Sequence, residues 1–487
     1  MITMTITKQH ISLALCVVIP LLVLAIPTES ITFMELSVIE HRVVAIFLMA
    51  ALLWIMEPIP VFATSLLIIT SLALTVSNQG LRMITHTADG VPLPDLMPYT
   101  SIFASFANPI IILFMGGFAL AIAASKYELD NNLARVLLKP FGESVPIVML
   151  GIMLITAVFS MFMSNTATTV MMLAIVGPII AKAPKGDLAM KGLVLAIPVA
   201  ANTGGIGTPI GTPPNAIAVG ALGDALGSTN QISFLDWMSF GVPFVIVQLA
   251  IAWFVLCKFY PAKGKKIEIN MEGSFQRSPR AYLVYATFAV TILLWLTGKF
   301  HGINSNVVAI IPLTVFCLSG IITKDDLKLF NWDVLWLVAG GIAMGYALGA
   351  SGLAKNMVDA IDFTALSTYV VIITMSLLCI TMANFMSNTA TAALIMPIAL
   401  TVAIGLTGVD PATGEAVVAA GQQGTITVFL SIVALSASLG MMLPVSTPPN
   451  SLAYSTGFIE TKDLLKVGGV IGATGLALLY AAMMVIM

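Results

Sequence analysis

Charge is what this chain has least of. Of its 487 residues only 9% are Asp, Glu, Lys or Arg, 59% are hydrophobic, and mean hydropathy is +1.02. A soluble domain carries about 25% charged residues, so a water-facing surface cannot be built from this sequence. Histidine is scarce, and His10, His41, His86 and His301 fall outside every polar cluster. Cys16, Cys257, Cys317 and Cys379 stand singly in apolar runs, with neither disulfide nor metal-ligand spacing, and read as small core residues. Haem, zinc and iron–sulfur sites have no ligand set here. No span holds a Lys or Arg near its polar motifs, or an Asp or Glu at depth; Glu57, before Pro58-Ile59-Pro60, sits at a span edge.

Long apolar runs are there instead, many reaching the roughly 20 residues that cross about 30 Å of hydrocarbon. Spans are expected near 11–27, 41–57, 62–78, 103–125, 241–260, 281–298, 305–322, 331–351 and 467–486. The first lacks an A-x-A-like cleavage site and reads as a retained span. A polar loop covers 79–98, and a mixed-charge amphipathic segment runs from Lys126 to Lys139. The basic loop from Lys258 to Arg280 suits topology and anionic headgroups, not nucleic acid.

Two polar motifs interrupt the remaining apolar sequence, each twice and in the same order. Ser164-Asn165-Thr166-Ala167-Thr168 returns as Ser387-Asn388-Thr389-Ala390-Thr391. Gly211-Thr212-Pro213-Pro214-Asn215 follows the first copy, and Ser446-Thr447-Pro448-Pro449-Asn450 the second. The Ser-Asn-Thr copies are 223 residues apart, Gly116-Gly117 and Gly340-Gly341 are 224 apart, and the Pro-Pro-Asn copies 235. About 12 extra residues therefore belong between Gly405 and Gly424. One Ser-Asn-Thr in a membrane helix usually means packing; two copies beside proline pairs mark a site. The Gly-Gly pairs read as close helix packing.

Each Ser-Asn-Thr segment, 146–181 and 368–404, can either cross the membrane or turn back as a hairpin with its polar cluster at the tip. The distribution of basic residues decides. With both re-entrant, the Pro-Pro-Asn segments 191–222 and 424–456 each crossing once and the N-terminus cytoplasmic, there are eleven crossings, and 17 of the 21 Lys and Arg fall inside. A single crossing of the first segment would place Lys126–Lys139 opposite Lys182–Lys191. Five crossings separate the hairpins, so the first opens inward, the second outward, and the repeat is inverted. Such a repeat with interrupted helices points to a secondary transporter holding its cargo near the midplane.

The residue types suit an anion. Thr212-Pro213-Pro214 and Thr447-Pro448-Pro449 are expected to break their helices, because proline lacks a donor and clashes with the preceding turn. Helix N-termini offer free N–H groups and positive dipole to carboxylates. Freed carbonyls, hydroxyls and Asn oxygens suit a hard cation such as Na⁺, and proton carriers usually keep buried ionisable relays that are missing here. A channel needs a continuous polar pore, unlike these local clusters. A hydrolytic enzyme needs a base beside Ser164 or Ser387, and none accompanies them.

These motifs resemble the divalent anion/sodium symporter family, whose C-terminal signature is similar to the stretch from Val445 to Gly457. The resemblance implies an all-α polytopic membrane protein, a homodimer working by an elevator mechanism. Residues 1–139 and 263–362 would form the scaffold; 140–262 and 363–487 would form the moving transport domain. It implies an anion held by Asn165, Thr166, Thr212, Pro213, Ser387, Asn388, Thr389, Thr447 and Pro448. One sodium ion is expected at Ser160, Ser164, Asn165 and Gly211, a second at Ala383, Asn388 and Ser446. Ser160 lies one turn before Ser164, whereas the matching Ala383 offers only its carbonyl. Two opposed tips suit a C4-dicarboxylate such as succinate, malate or fumarate. Some family members are sodium-independent dicarboxylate or citrate exchangers, which leaves that alternative open. Compact loops suit a bacterial inner membrane.

Overall fold

A computed structural model describes residues 8–28, 34–184, 186–226, 232–267, 274–360, 367–407 and 420–487. Most of the expected 12-residue insertion between Gly405 and Gly424, and Lys185, lie outside them. The described residues are helical, joined by loops with three isolated bridges.

The first half runs α1 (Lys8–Ala25), α2 (Val38–Met56), α3 (Val61–Thr75), α4 (Arg82–Thr85), α5 (Tyr99–Ala104), α6 (Pro109–Lys126) and α7 (Leu129–Leu138). It continues with α8 (Val145–Phe162), α9 (Asn165–Ala181), α10 (Leu188–Gly205), α11 (Pro213–Leu226) and α12 (Phe234–Phe259). The second half holds α13 (Pro279–Leu296), α14 (Gly298–His301), α15 (Ser305–Leu318), α16 (Lys324–Leu327), α17 (Trp332–Ala350) and α18 (Leu353–Asp359). Then come α19 (Thr368–Phe385), α20 (Asn388–Thr407), α21 (Ala420–Ser438), α22 (Pro448–Ser455) and α23 (Thr461–Ile486).

Local chemistry sets the boundaries. Ser37 with Glu40 and Ser233 with Asp236 form reciprocal caps for α2 and α12. Asn108 caps α6 ahead of Pro109, and Asp187 caps α10. Glu57 ends α2 in left-handed backbone, φ 44°. Ten helical stretches among the described residues are long and apolar enough to cross a membrane. Three of the ten are α8, α19 and most of α20, from the Ser-Asn-Thr segments, while expected crossings at α1, α3 and α15 are shorter. Length alone does not separate spans from hairpin arms.

Polar contacts sort the chain ends into two faces. On one, Lys126 pairs with Asp326 (2.7 Å), Lys265 with Asp187, Lys191 with Asp463 (3.0 Å), and Tyr260 donates to Asp463 (2.9 Å). On the other, Arg42 donates to the Thr75 carbonyl (2.9 Å) and Asn356 to Glu40 (2.6 Å). Three of the basic residues expected inside, Lys126, Lys191 and Lys265, are paired on the first face. Both ends of the α8–α9 pair reach it: Ile267 donates to the Glu143 carbonyl before α8, and Lys265 pairs with Asp187 after α9.

The two halves repeat one packing scheme. A Cβ on Gly116 would strike the Ala309 backbone, so α6 lies flush on α15; one on Gly340 would strike Ser65, so α17 lies flush on α3. The close-packing expectation holds at these two glycines. The Pro-Pro-Asn helices cross between halves. Helix α11 packs on α20 and α21, and α22 packs on α9 and α10.

Candidate functional site

Both Ser-Asn-Thr tips are built alike. Helix α8 ends at Phe162 and α19 at Phe385, each followed by an extended Met, Met163 (φ −127°, ψ 165°) and Met386 (φ −131°, ψ 174°). Ser164 then caps α9, its Oγ accepting from the Ala167 N–H at 3.1 Å, and Ser387 does the same for Ala390 at 3.1 Å. Each serine takes the third donor of its helix. The N–H groups of Asn165 and Thr166, and of Asn388 and Thr389, therefore have no intrahelical acceptor.

The Pro-Pro-Asn segments correct one expectation. The prolines do not break helices; they start them, with Pro213 opening α11 and Pro448 opening α22. Proline suits a first turn, where its missing N–H has no partner to lose. The break is the backbone upstream, and the Asn of each motif holds it. Asn215 Nδ2 donates to the carbonyls of Gly205 (3.1 Å), Ile206 (3.1 Å) and Thr208 (2.8 Å). Asn450 Nδ2 donates to Met441 (2.9 Å) and Leu443 (3.0 Å). Unwound backbone inside an apolar protein needs such partners.

The four segments line one cavity of about 280 Å³. Ser164, Asn165 and Thr166 face it from α9, and Ser387, Asn388 and Thr389 from α20. Gly211, Thr212 and Pro213 enter from α11, and Ser446, Thr447 and Pro448 from α22. Four helix N-termini thus converge on one space. Its opposite wall comes from α3, α6 and α17, with Val61, Phe114, Phe118 and Leu337 supplying apolar surface. Gly117 lines it as well, so this glycine does more than pack helices. Among the described residues no Lys, Arg or His lines the cavity, and the one charged lining residue is the exposed Asp333.

Ser160 and Ala383, also expected at the site, lie behind the tips and are fully buried. Ser160 Oγ is 2.6 Å from Asn165 Oδ1 and 2.8 Å from the Ala201 carbonyl. A Cβ on Gly205 would sit 2.6 Å from Asn165 Oδ1 and 2.9 Å from the Gly211 carbonyl; one on Gly211 would press on the Gly205 and Ser160 carbonyls. Several oxygens thus crowd one spot with a single hydroxyl proton among three of them. Neutral, oxygen-rich and proton-poor, this donor set fits a hard monovalent cation.

Behind the second tip the chemistry differs. Asn384 Oδ1 accepts from the Met442 N–H (2.8 Å), and Ser446 Oγ donates to the Asn384 carbonyl (2.9 Å). Asn388 Nδ2 reaches the Ser438 carbonyl at 3.4 Å, while its buried Oδ1 has no hydrogen-bond partner. Ala383 packs against Gly440 and brings no hydroxyl.

The comparison with known proteins identifies the family. The citrate transporter family model matches residues 51–421. The sodium-dependent dicarboxylate transporter SdcS of Staphylococcus aureus is 31% identical over 462 residues, covering 88% of this chain and 82% of that one. The chain belongs to the citrate transporter family. This agrees with the divalent anion/sodium symporter resemblance of its motifs, and makes the protein a transporter rather than an enzyme. The fold agrees with two solved structures. The Alcanivorax borkumensis YdaH transporter aligns with TM-score 0.53 at 14% identity, over 86% of this chain and 95% of that one. Neisseria gonorrhoeae MtrF, described as illuminating a class of antimetabolite efflux pumps, aligns with TM-score 0.54 at 12% identity, over 87% and 94%.

In this family member three polar cavity residues escaped sequence reasoning. Asn202 lines the cavity from α10, and Asn331 and Asp333 from the start of α17. Asn331 lies 223 residues after Asn108, the spacing of the Ser-Asn-Thr copies, and that register was the available signal. Asn108 caps its helix; Asn331 makes no side-chain cap and faces the cavity.

Proposed function

We propose that the protein is a sodium-coupled symporter of a C4-dicarboxylate such as succinate, malate or fumarate. The observation carrying this reading is the convergence of four helix N-termini on a cavity without a cationic side chain. Burying a carboxylate unpaired is costly. Here the compensation comes from helix dipoles, the free N–H groups of the two tips, threonine hydroxyls and co-bound sodium. The α9 and α20 tips grip the anion, since Pro213, Pro214, Pro448 and Pro449 have no N–H to give. One sodium ion is held by Ser160, Ser164, Asn165 and Gly211, the other beside Asn388 and Ser446.

Sodium enters first and orders the tips, so coupling arises from its preference for the anion-competent state. The α8–α9 and α19–α20 pairs are re-entrant hairpins opening to opposite faces, and the N-terminus lies in the cytoplasm. The cavity divides 140–262 and 363–487, the moving part, from 1–139 and 263–362, the scaffold of a homodimer. An elevator displacement of one part against the other carries the cargo across a bacterial inner membrane. The matched S. aureus relative, by name a sodium-dependent dicarboxylate transporter, supports cargo and coupling.

Radiolabelled succinate uptake into proteoliposomes tests this. Sodium-dependent uptake into empty vesicles is expected. Uptake that needs internal dicarboxylate and ignores sodium would make the protein an exchanger.

A further inference from the structure

The first cation cage takes its hydroxyl from Ser160, on the hairpin arm α8, and sets it against the Ala201 carbonyl of α10. In the second half the hairpin residue in the same register is Ala383, 223 positions on. The α10 residue Ala201 corresponds, by the 235-residue offset of the Pro-Pro-Asn motifs, to Ser436 of α21. Alanine and serine have changed places across the helix contact.

The stretch of α21 around Ser436 lies against the right neighbour, α19. One turn earlier, Cys379 Sγ on α19 meets the Val433 carbonyl at 3.4 Å; one turn later, Gly440 presses on Ala383. Val433 lies on α21 three residues before Ser436, and Gly440 lies just past the end of that helix, so contacts to α19 flank Ser436 on both sides in sequence. It is fully buried, and its Oγ has no hydrogen-bond partner. Nor has Asn388 Oδ1, whose Nδ2 reaches the backbone at Ser438 on the same helix. A buried hydroxyl without a partner is destabilising, a penalty that a bound cation removes.

We infer that Ser436 supplies the hydroxyl of the second sodium site, replacing from α21 the one that Ala383 cannot offer from α19. This rests on the sodium-coupled reading above. The first half carries its hydroxyl on the hairpin and the second on the helix beside it. Both cages then set a buried serine hydroxyl from behind the tip beside the tip's Asn carboxamide.

Sodium-dependent thermal stabilisation of the purified full chain in detergent, without anion and with choline replacing sodium, tests the assignment. S436A is expected to raise the half-saturating sodium concentration about tenfold and to flatten the titration. Its melting point in choline should stay at or above that of the unsubstituted chain, because an unpartnered hydroxyl has been removed. A383S/S436A, which returns the hydroxyl to the hairpin, should recover the sodium response. An S436A titration that superimposes on the unsubstituted one overturns the assignment. So does a lower choline melting point in S436A, or a double variant no better than S436A. An unsubstituted chain that ignores sodium sinks the coupling reading and this site with it.

Discussion

Asn202 donates to Thr447 Oγ1 at 3.1 Å and to Asn450 Oδ1 at 3.2 Å, tying positions 245 and 248 residues away. All three side chains are buried. The link has no twin. The residue matching Asn202 in the second half is Ala437, so nothing equivalent reaches Asn215, and Asn215 Oδ1 has no hydrogen-bond partner. Replacing Asn202 with Ala should leave Asn450 Oδ1 without its donor, while Thr447 Oγ1 keeps the Asn450 N–H, and cost about 1–3 kcal/mol. The expected result is a lower Tm by intrinsic fluorescence and slower uptake; an unchanged Tm would show that the link bears no load.

Asn165 and Asn388 sit where tip and cage meet. Asn165→Ala or Asn388→Ala should cut succinate uptake about 100-fold or more, since each would remove proposed contacts to charged cargo, typically worth about 1.5–3 kcal/mol apiece. Size-exclusion profiles should stay those of folded protein. Gly205→Ala isolates the cage, since its Cβ would lie 2.6 Å from Asn165 Oδ1. Sodium-dependent stabilisation should disappear in that variant, while the choline melt changes less.

Asp333 is the one charged residue lining the cavity, and its sign opposes an anion. Asp333→Asn should lower the KM for succinate about two- to fivefold, as expected of roughly 0.5–1 kcal/mol between exposed charges. The gain should shrink when choline chloride raises ionic strength, because salt screens such pairs. A higher KM would mean that Asp333 helps to hold the cargo.

Two carboxylates at one face give a pH signature. Burial opposes ionisation of Asp187 and of Asp326, but each remains below the ordinary carboxylate range. Lys265 with the Met190 and Ala189 amides holds the first, and Lys126 with Thr323 the second. The unfolded chain thus takes up protons first as pH falls. Their stabilisation is complete above the ordinary Asp value of about 3.9 and fades as pH drops towards the lower folded values. Melting curves from pH 6 to pH 3 should show a smaller acid loss of Tm in Asp326→Asn than in the unsubstituted protein.

The sequence announced what depends on local surprise. A Ser-Asn-Thr inside an apolar run stands out, a second copy at fixed offset more so, and Ser160 came in through the family resemblance, one helical turn before Ser164. Gly116 and Gly340 were legible because close approach demands the smallest residue. Illegible were contacts made only when halves meet: Asn202 reaching Thr447, and Asn331 and Asp333 forming a cavity wall. The prolines misled for a different reason. Their chemistry forbids a helix behind them and favours one ahead, and only the upstream staples of Asn215 and Asn450 reveal which side unwinds.

A binding space without Lys, Arg or His has an electrical consequence. On the elevator reading proposed above, the empty pocket would carry no full positive charge of its own, and its return across the bilayer would do little work against the membrane potential. Loaded, it moves the algebraic sum of anion and sodium charges, each elementary charge worth about 2.3 kcal/mol per 100 mV. The current is set by the cargo's stoichiometry, and reversal potentials read directly how many ions travel with each anion.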